Sequence, residues 1–101
     1  MKLMVLKKNL KTFESNEKDY WNRIIEKLTE EVDELYQAIE AEDKAHIMEE
    51  SWDVVQVITR VFKQLEKEGM DIEQGNRIHN QKLIKRGWIG KGEIRIAVKH
   101  E

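Results

Sequence analysis

Two acidic clusters pose the first chemical question. The stretch EKLTEEVDELYQAIEAEDKAHIMEESWDVVQVI holds EEVDE, with Glu30, Glu31 and Glu34, and EESWD, with Glu50 and Asp53. Both lie in segments patterned as helices. At about 100° per residue, Glu30, Glu34 and Glu31 fall at about 0°, 40° and 100° around the first helix, and its apolar stripe centres at about 170°. Three carboxylates therefore share one flank of that stripe. On the second helix, with Glu50 at 0°, Val61, Val54 and Leu65 fall at about 20°, 40° and 60°, which puts Glu50 inside the apolar face and Asp53 on its edge. Burying an unpaired carboxylate costs on the order of several kcal/mol, and a like charge nearby adds to that. Something cationic must compensate.

Lys27, four residues before Glu31, offers a pairing worth a few tenths of a kcal/mol when exposed, about 0.2–0.5. For Glu30, Glu31 and Glu34 taken alone, solvated positions on an acidic helix explain the pattern equally well. For Glu50 among valines they do not. Two facing helices that aim acids into a shared groove make an oxygen-rich site, and Mg²⁺ or Mn²⁺ suits such ligands best. The third helical segment adds HNQKLIKRG, which gathers Asn80, Lys82, Lys85 and Arg86 within two turns. Alone, this basic last turn is a complement to the helix dipole, worth about 0.3–1 kcal/mol. Together with the acids it reads as a phosphate clamp, because a carboxylate-held cation with Lys and Arg beside it can bind a polyphosphate and stabilise charge at phosphorus.

The elements that must position these residues follow from apolar spacing. Trp21, Ile24, Ile25, Leu28, Val32, Leu35 and Ile39 recur every three or four residues and predict a helix over about 17–41. The polar break AEDK offers Asp43 as an N-cap, and Ile47, Val54, Ile58, Val61 and Leu65 predict a helix over 44–68, stopped by Gly69. Asp71 with Gln74 resembles a capping box and opens a helix over 72–86, stopped by Gly87. The fold class is all-α: an antiparallel helical bundle in one domain, residues 1–101, with short connections. The ends read differently. EIRIAV at 93–98 alternates like a short strand, and KLMVL near the start is its natural pairing partner, although an isolated two-stranded ribbon is marginal in water. The same ends also suit arms packed on a partner subunit.

Composition narrows the classes further. The chain has 101 residues, near the small end for an independent core, so oligomerisation is expected to complete it. Lys plus Arg number 18 against 20 Asp plus Glu, a net charge of −2, which provides no global field for nucleic acid or an anionic membrane. Cysteine is absent, which removes disulfides and thiolate metal sites and fits a reducing cytoplasm. The early apolar run LMVL is too short for a membrane span or a signal-peptide core. A soluble cytoplasmic protein is expected. His46, His79 and His100 show no mutual spacing of a zinc site.

The ordered series EEVDE, a gap of fifteen residues, ESWD, then NQKLIKR resembles the EExxE…ExxD and N-x-K-x-x-x-R pattern of the MazG-like all-α nucleoside triphosphate pyrophosphohydrolases. The resemblance covers about Glu17 to Gly87. It implies a helical subunit of a homodimer or homotetramer that binds Mg²⁺ and cleaves a nucleoside triphosphate to the monophosphate and pyrophosphate. Position by position, it implies metal ligation by Glu30, Glu31, Glu34, Glu50 and Asp53, and phosphate contacts from Asn80, Lys82 and Arg86, with Lys85 a weaker candidate. Water would attack the α-phosphorus, oriented or deprotonated by Glu31 or Glu34, and pyrophosphate would leave. For base recognition, Trp21 falls on the core stripe. Trp52, well off its helix's main stripe, and Trp88, after the last helix stop, suit either a subunit interface or stacking on a nucleobase. The competing reading is a non-catalytic helical dimerisation or interaction module with a soluble acidic rim. It leaves Glu50 and the basic cluster unexplained.

Overall fold

The apolar spacing resolves into α1 (Trp21–Glu40), α2 (Lys44–Lys67) and α3 (Ile72–Lys85) in a computed structural model that describes residues 2–16 and 20–96. The aspartates expected as caps serve that role. Asp43 accepts a hydrogen bond from the backbone N–H of His46, and Asp71 accepts one from Gln74. α1 starts at Trp21 after an extended Tyr20, later than the spacing predicted; residues 17–19 lie outside the described residues.

All three helices end by the same device. Gly69 and Gly87 follow the C-caps of α2 and α3 with φ of 88° and 90°. Their N–H groups reach Glu66 O and Ile84 O, and those of Met70 and Trp88 reach Leu65 O and Leu83 O, which closes the last turns. α1 ends with Glu42 in the equivalent place at φ 55°, a conformation that strains any residue with a Cβ.

α1 and α2 form an antiparallel hairpin around the 41–43 turn and make nearly all of the interhelical packing. The buried line of α1 is Ile24, Glu31 and Ala38, and that of α2 is Glu50 and Val57, each at a spacing of seven residues. This seam is offset from the apolar stripe of α1 by roughly 70°. Ile25, Val32, Tyr36 and Ile39 therefore remain largely exposed, at 61%, 47%, 63% and 54%. The seam turns toward the acids, and the apolar flank is left uncovered. α3 touches α2 over a small area, does not reach α1, and buries none of its residues.

The termini correct one expectation. Neither KLMVL nor residues 93–96 form a strand, and among the described residues the only β-type pairing is a single Lys8–Ser15 bridge; 97 and 98 lie outside them. The N-terminal arm folds back on itself instead. Asn9 Oδ1 accepts from the backbone of Lys11 and Thr12, and Phe13 N donates to Asn9 O. The arm is then tied to α2 by Gln56 Nε2, which donates to Met4 O at 2.6 Å. A two-stranded ribbon with no apolar layer to cover gains too little to form. Among the described residues no helix is long and apolar enough to cross a membrane.

The helix ends predict opposite responses to glycine. Glu42→Gly should stabilise the protein by about 0.5–1 kcal/mol in urea denaturation, by relieving the left-handed strain. Gly69→Ala should destabilise it by about 1 kcal/mol. No atom lies within 4 Å of a Cβ added at Gly69, so that cost is purely conformational.

Candidate metal centre

The hairpin brings together acids from both helices. Glu31 lies nine residues before the last residue of α1, and Asp53 lies nine residues after the first of α2, so antiparallel pairing sets them at the same level. Carboxylate oxygens of Glu31, Glu50 and Asp53 all lie within 4.8 Å of one another. Glu31 and Glu50 are each only 7% exposed, and Asp53 closes the group on its solvent side.

Each buried acid has one satisfied oxygen and one without a partner. Glu31 Oε1 meets Lys27 Nζ at 3.2 Å, and Glu50 Oε1 meets His46 Nε2 at 3.1 Å. Glu31 Oε2 and Glu50 Oε2 are buried with no hydrogen-bond partner. Buried acceptors are almost always paired, and two orphaned anionic oxygens in one cluster are a strong exception. Burial raises the Glu31 carboxyl above its ordinary value of 4.5; the Lys27 hydrogen bond opposes this, and the charges of Glu34 and Asp53 add to it. Burial also pulls the Lys27 ammonium down, but Glu31 and Glu30 together outweigh that and hold it above 10.5. Lys27 alone thus leaves negative charge in the seam uncompensated. An all-oxygen set of this kind fits a hard divalent cation.

Of the five acids expected at the metal, the structure groups Glu31, Glu50 and Asp53. Glu30 is exposed and pairs with Lys27 at 3.4 Å. Glu34 is exposed on the same flank, outside the close group but near enough for its charge to act on Glu31. Asn80, Lys82, Lys85 and Arg86 are all exposed on α3, and among the described residues no hydrogen bond or ion pair links them to the acids. Trp52 is 39% exposed on α2 and Trp88 is 68% exposed beyond α3, while Trp21 donates its indole N–H to the Glu68 carboxylate at 3.0 Å. His46 was not signalled by any spacing among histidines. Its partner is a carboxylate four residues on, and that i,i+4 relation was the available clue.

The description of the MazG nucleotide pyrophosphohydrolase domain matches residues 21–87, which span all three helices and both acidic clusters. The chain belongs to this family. No curated protein and no solved structure gives a match. MazG membership points to nucleotide pyrophosphohydrolase activity and a nucleotide substrate, and it agrees with the all-α architecture and with a cluster able to hold a metal ion.

A testable consequence concerns Glu31. Its raised carboxyl means that the folded state holds a proton more tightly than the unfolded state. The metal-free protein therefore loses stability as pH rises from 4.5 through the folded-state value. Glu31→Gln should remove that loss, melt higher than the wild type at pH 7 without metal, and lose the melting-temperature rise on adding Mg²⁺. Thermal melts at several pH values with and without Mg²⁺ check both halves.

Proposed function

We propose that this MazG protein is a Mg²⁺-dependent pyrophosphohydrolase that cleaves a nucleoside or deoxynucleoside triphosphate to the monophosphate and pyrophosphate, in the upkeep of nucleotide pools. The observation that carries the reading is the pair of buried, partnerless oxygens, Glu31 Oε2 and Glu50 Oε2, in one cluster with Asp53. Such a cluster is costly to fold and gains its return only when a cation enters.

Glu31, Glu50 and Asp53 hold the ion in this reading. When bound, it supplies Lewis-acid charge that polarises a phosphoryl oxygen of the substrate. Glu31 has one oxygen committed to Lys27 and the other buried without a partner, and Glu34, exposed on the same flank, acts as general base in this reading. Glu34 takes a proton from water as the water oxygen bonds to the α-phosphorus. The bond from that phosphorus to the bridging oxygen breaks, and pyrophosphate departs with the electron pair. Asn80, Lys82, Lys85 and Arg86 receive its charge. Trp52, next to Asp53, is the nearer of the two exposed tryptophans in sequence for stacking on the base, with Trp88 the second candidate. The lack of cysteine suits a cytoplasmic enzyme.

The functional unit in this reading is a homo-oligomer, a dimer or a tetramer. Ile25, Val32, Tyr36 and Ile39 form an apolar flank along four turns of α1, and α3 presents Ile78 and Ile84 at 58% and 71% exposure with little support from its own chain. A partner covering these residues would complete the core and fix α3 with its basic cluster.

Pyrophosphate release from a panel of triphosphates with Mg²⁺ tests the activity. Glu50→Gln should abolish release with helix content intact. Glu34→Gln should lower kcat by at least about 100-fold while keeping the Mg²⁺-induced thermal shift, the separation expected of a base as against a ligand. A fully active Glu50→Gln protein would sink the assignment. For assembly, replacing Val32 and Tyr36 together by Glu should convert the wild-type oligomer to monomer in sedimentation velocity.

A further inference from the structure

The two buried acids are tethered in the same way. Lys27 reaches Glu31 Oε1 from four residues upstream, and His46 reaches Glu50 Oε1 from four residues upstream. In each case the second oxygen is the one left buried and partnerless. The residue i−4 on a helix lies one turn away on the same face, so the geometry is local to each helix and does not depend on the partner helix.

We infer that His46 is a positioning residue for the metal centre: its Nε2–H holds Glu50 Oε1 and thereby turns Glu50 Oε2 toward the cation. This rests on the metal-centre reading given above. An ionised carboxylate only accepts hydrogen bonds, so a contact of 3.1 Å between Nε2 and Oε1 requires the proton on Nε2. The neutral Nε2–H tautomer meets that requirement, and no charge on the ring is needed.

The anchor of the histidine is visible as well. Its backbone N–H donates to Asp43 Oδ1 at 3.2 Å, so the N-cap that starts α2 fixes the turn from which the imidazole reaches Glu50. The imidazole is half-exposed and Glu50 is almost wholly buried, which makes His46 a tether at the rim holding a ligand within. His46 is not one of the three residues whose ligand atoms converge, in keeping with an outer role. Partners of this kind fix the orientation of ligand carboxylates, and their loss typically costs about 10–100-fold in metal affinity.

The test is Mg²⁺ titration of the metal-free full chain, followed by calorimetry and by thermal shift, for wild type, His46→Ala, His46→Gln and Glu50→Gln. His46→Ala should bind Mg²⁺ at least about 10-fold more weakly. His46→Gln places an amide N–H within reach of the same oxygen and should recover most of the affinity. Unchanged binding by His46→Ala would overturn the role, and so would a His46→Gln protein as weak as His46→Ala. A wild type that binds no Mg²⁺ would overturn the metal centre itself, whereas wild-type binding that Glu50→Gln removes and His46→Ala leaves intact would overturn only the tether.

Discussion

Repulsion and desolvation at Glu31 and Glu50 are the constraint around which this chain is organised. Two carboxylates occupy the buried line of a two-helix seam where a bundle of this size would ordinarily place leucine or valine. Replacing such groups by apolar residues is often neutral or stabilising, so their presence costs stability in the metal-free protein. Lys27 and His46 each satisfy one oxygen, the 41–43 turn sets the two helices at a matching level, and Ala38 is buried in the seam near the turn. The fold holds the acids together although they repel, and the centre of the hairpin is where it is least self-sufficient.

The same constraint explains the uneven distribution of the core. The seam faces the acids, so α1 commits Ile24, Glu31 and Ala38 to α2 and leaves much of its apolar stripe outside. Covering Ile25, Val32, Tyr36 and Ile39 with α2 would have required rotating α1 and swinging Glu31 out of the groove. One helix cannot serve both ends with a single partner. The attachment of α3 is weak although α2 leaves Met48, Trp52 and Phe62 exposed, so apolar surface is uncovered on both helices.

Helix identities, both aspartate caps and the glycine stops were legible because each is written in a few neighbouring residues. Glu50 was legible as a buried acid because it stands among valines at helical spacing. The direction of the seam was not, since hydrophobic periodicity marks which residues favour burial and not which neighbour covers them. Nor was the grouping of three acids out of five: Glu30, Glu31 and Glu34 share a flank by angle, but only the hairpin's pairing decides that Glu31 meets Glu50 and Asp53 while Glu30 and Glu34 stay at the rim. His46 escaped because its partner is a carboxylate and not another histidine. The terminal strands were over-read from alternation, which measures pattern and says nothing of a sheet to join.

The two flanks of α1 lie on opposite sides of its seam, acids on one and uncovered isoleucine, valine and tyrosine on the other. A second chain seated on the apolar side would stand behind the metal centre instead of across its mouth. Subunits would then join at the back of the hairpin, and the carboxylates would keep their own face to the solvent.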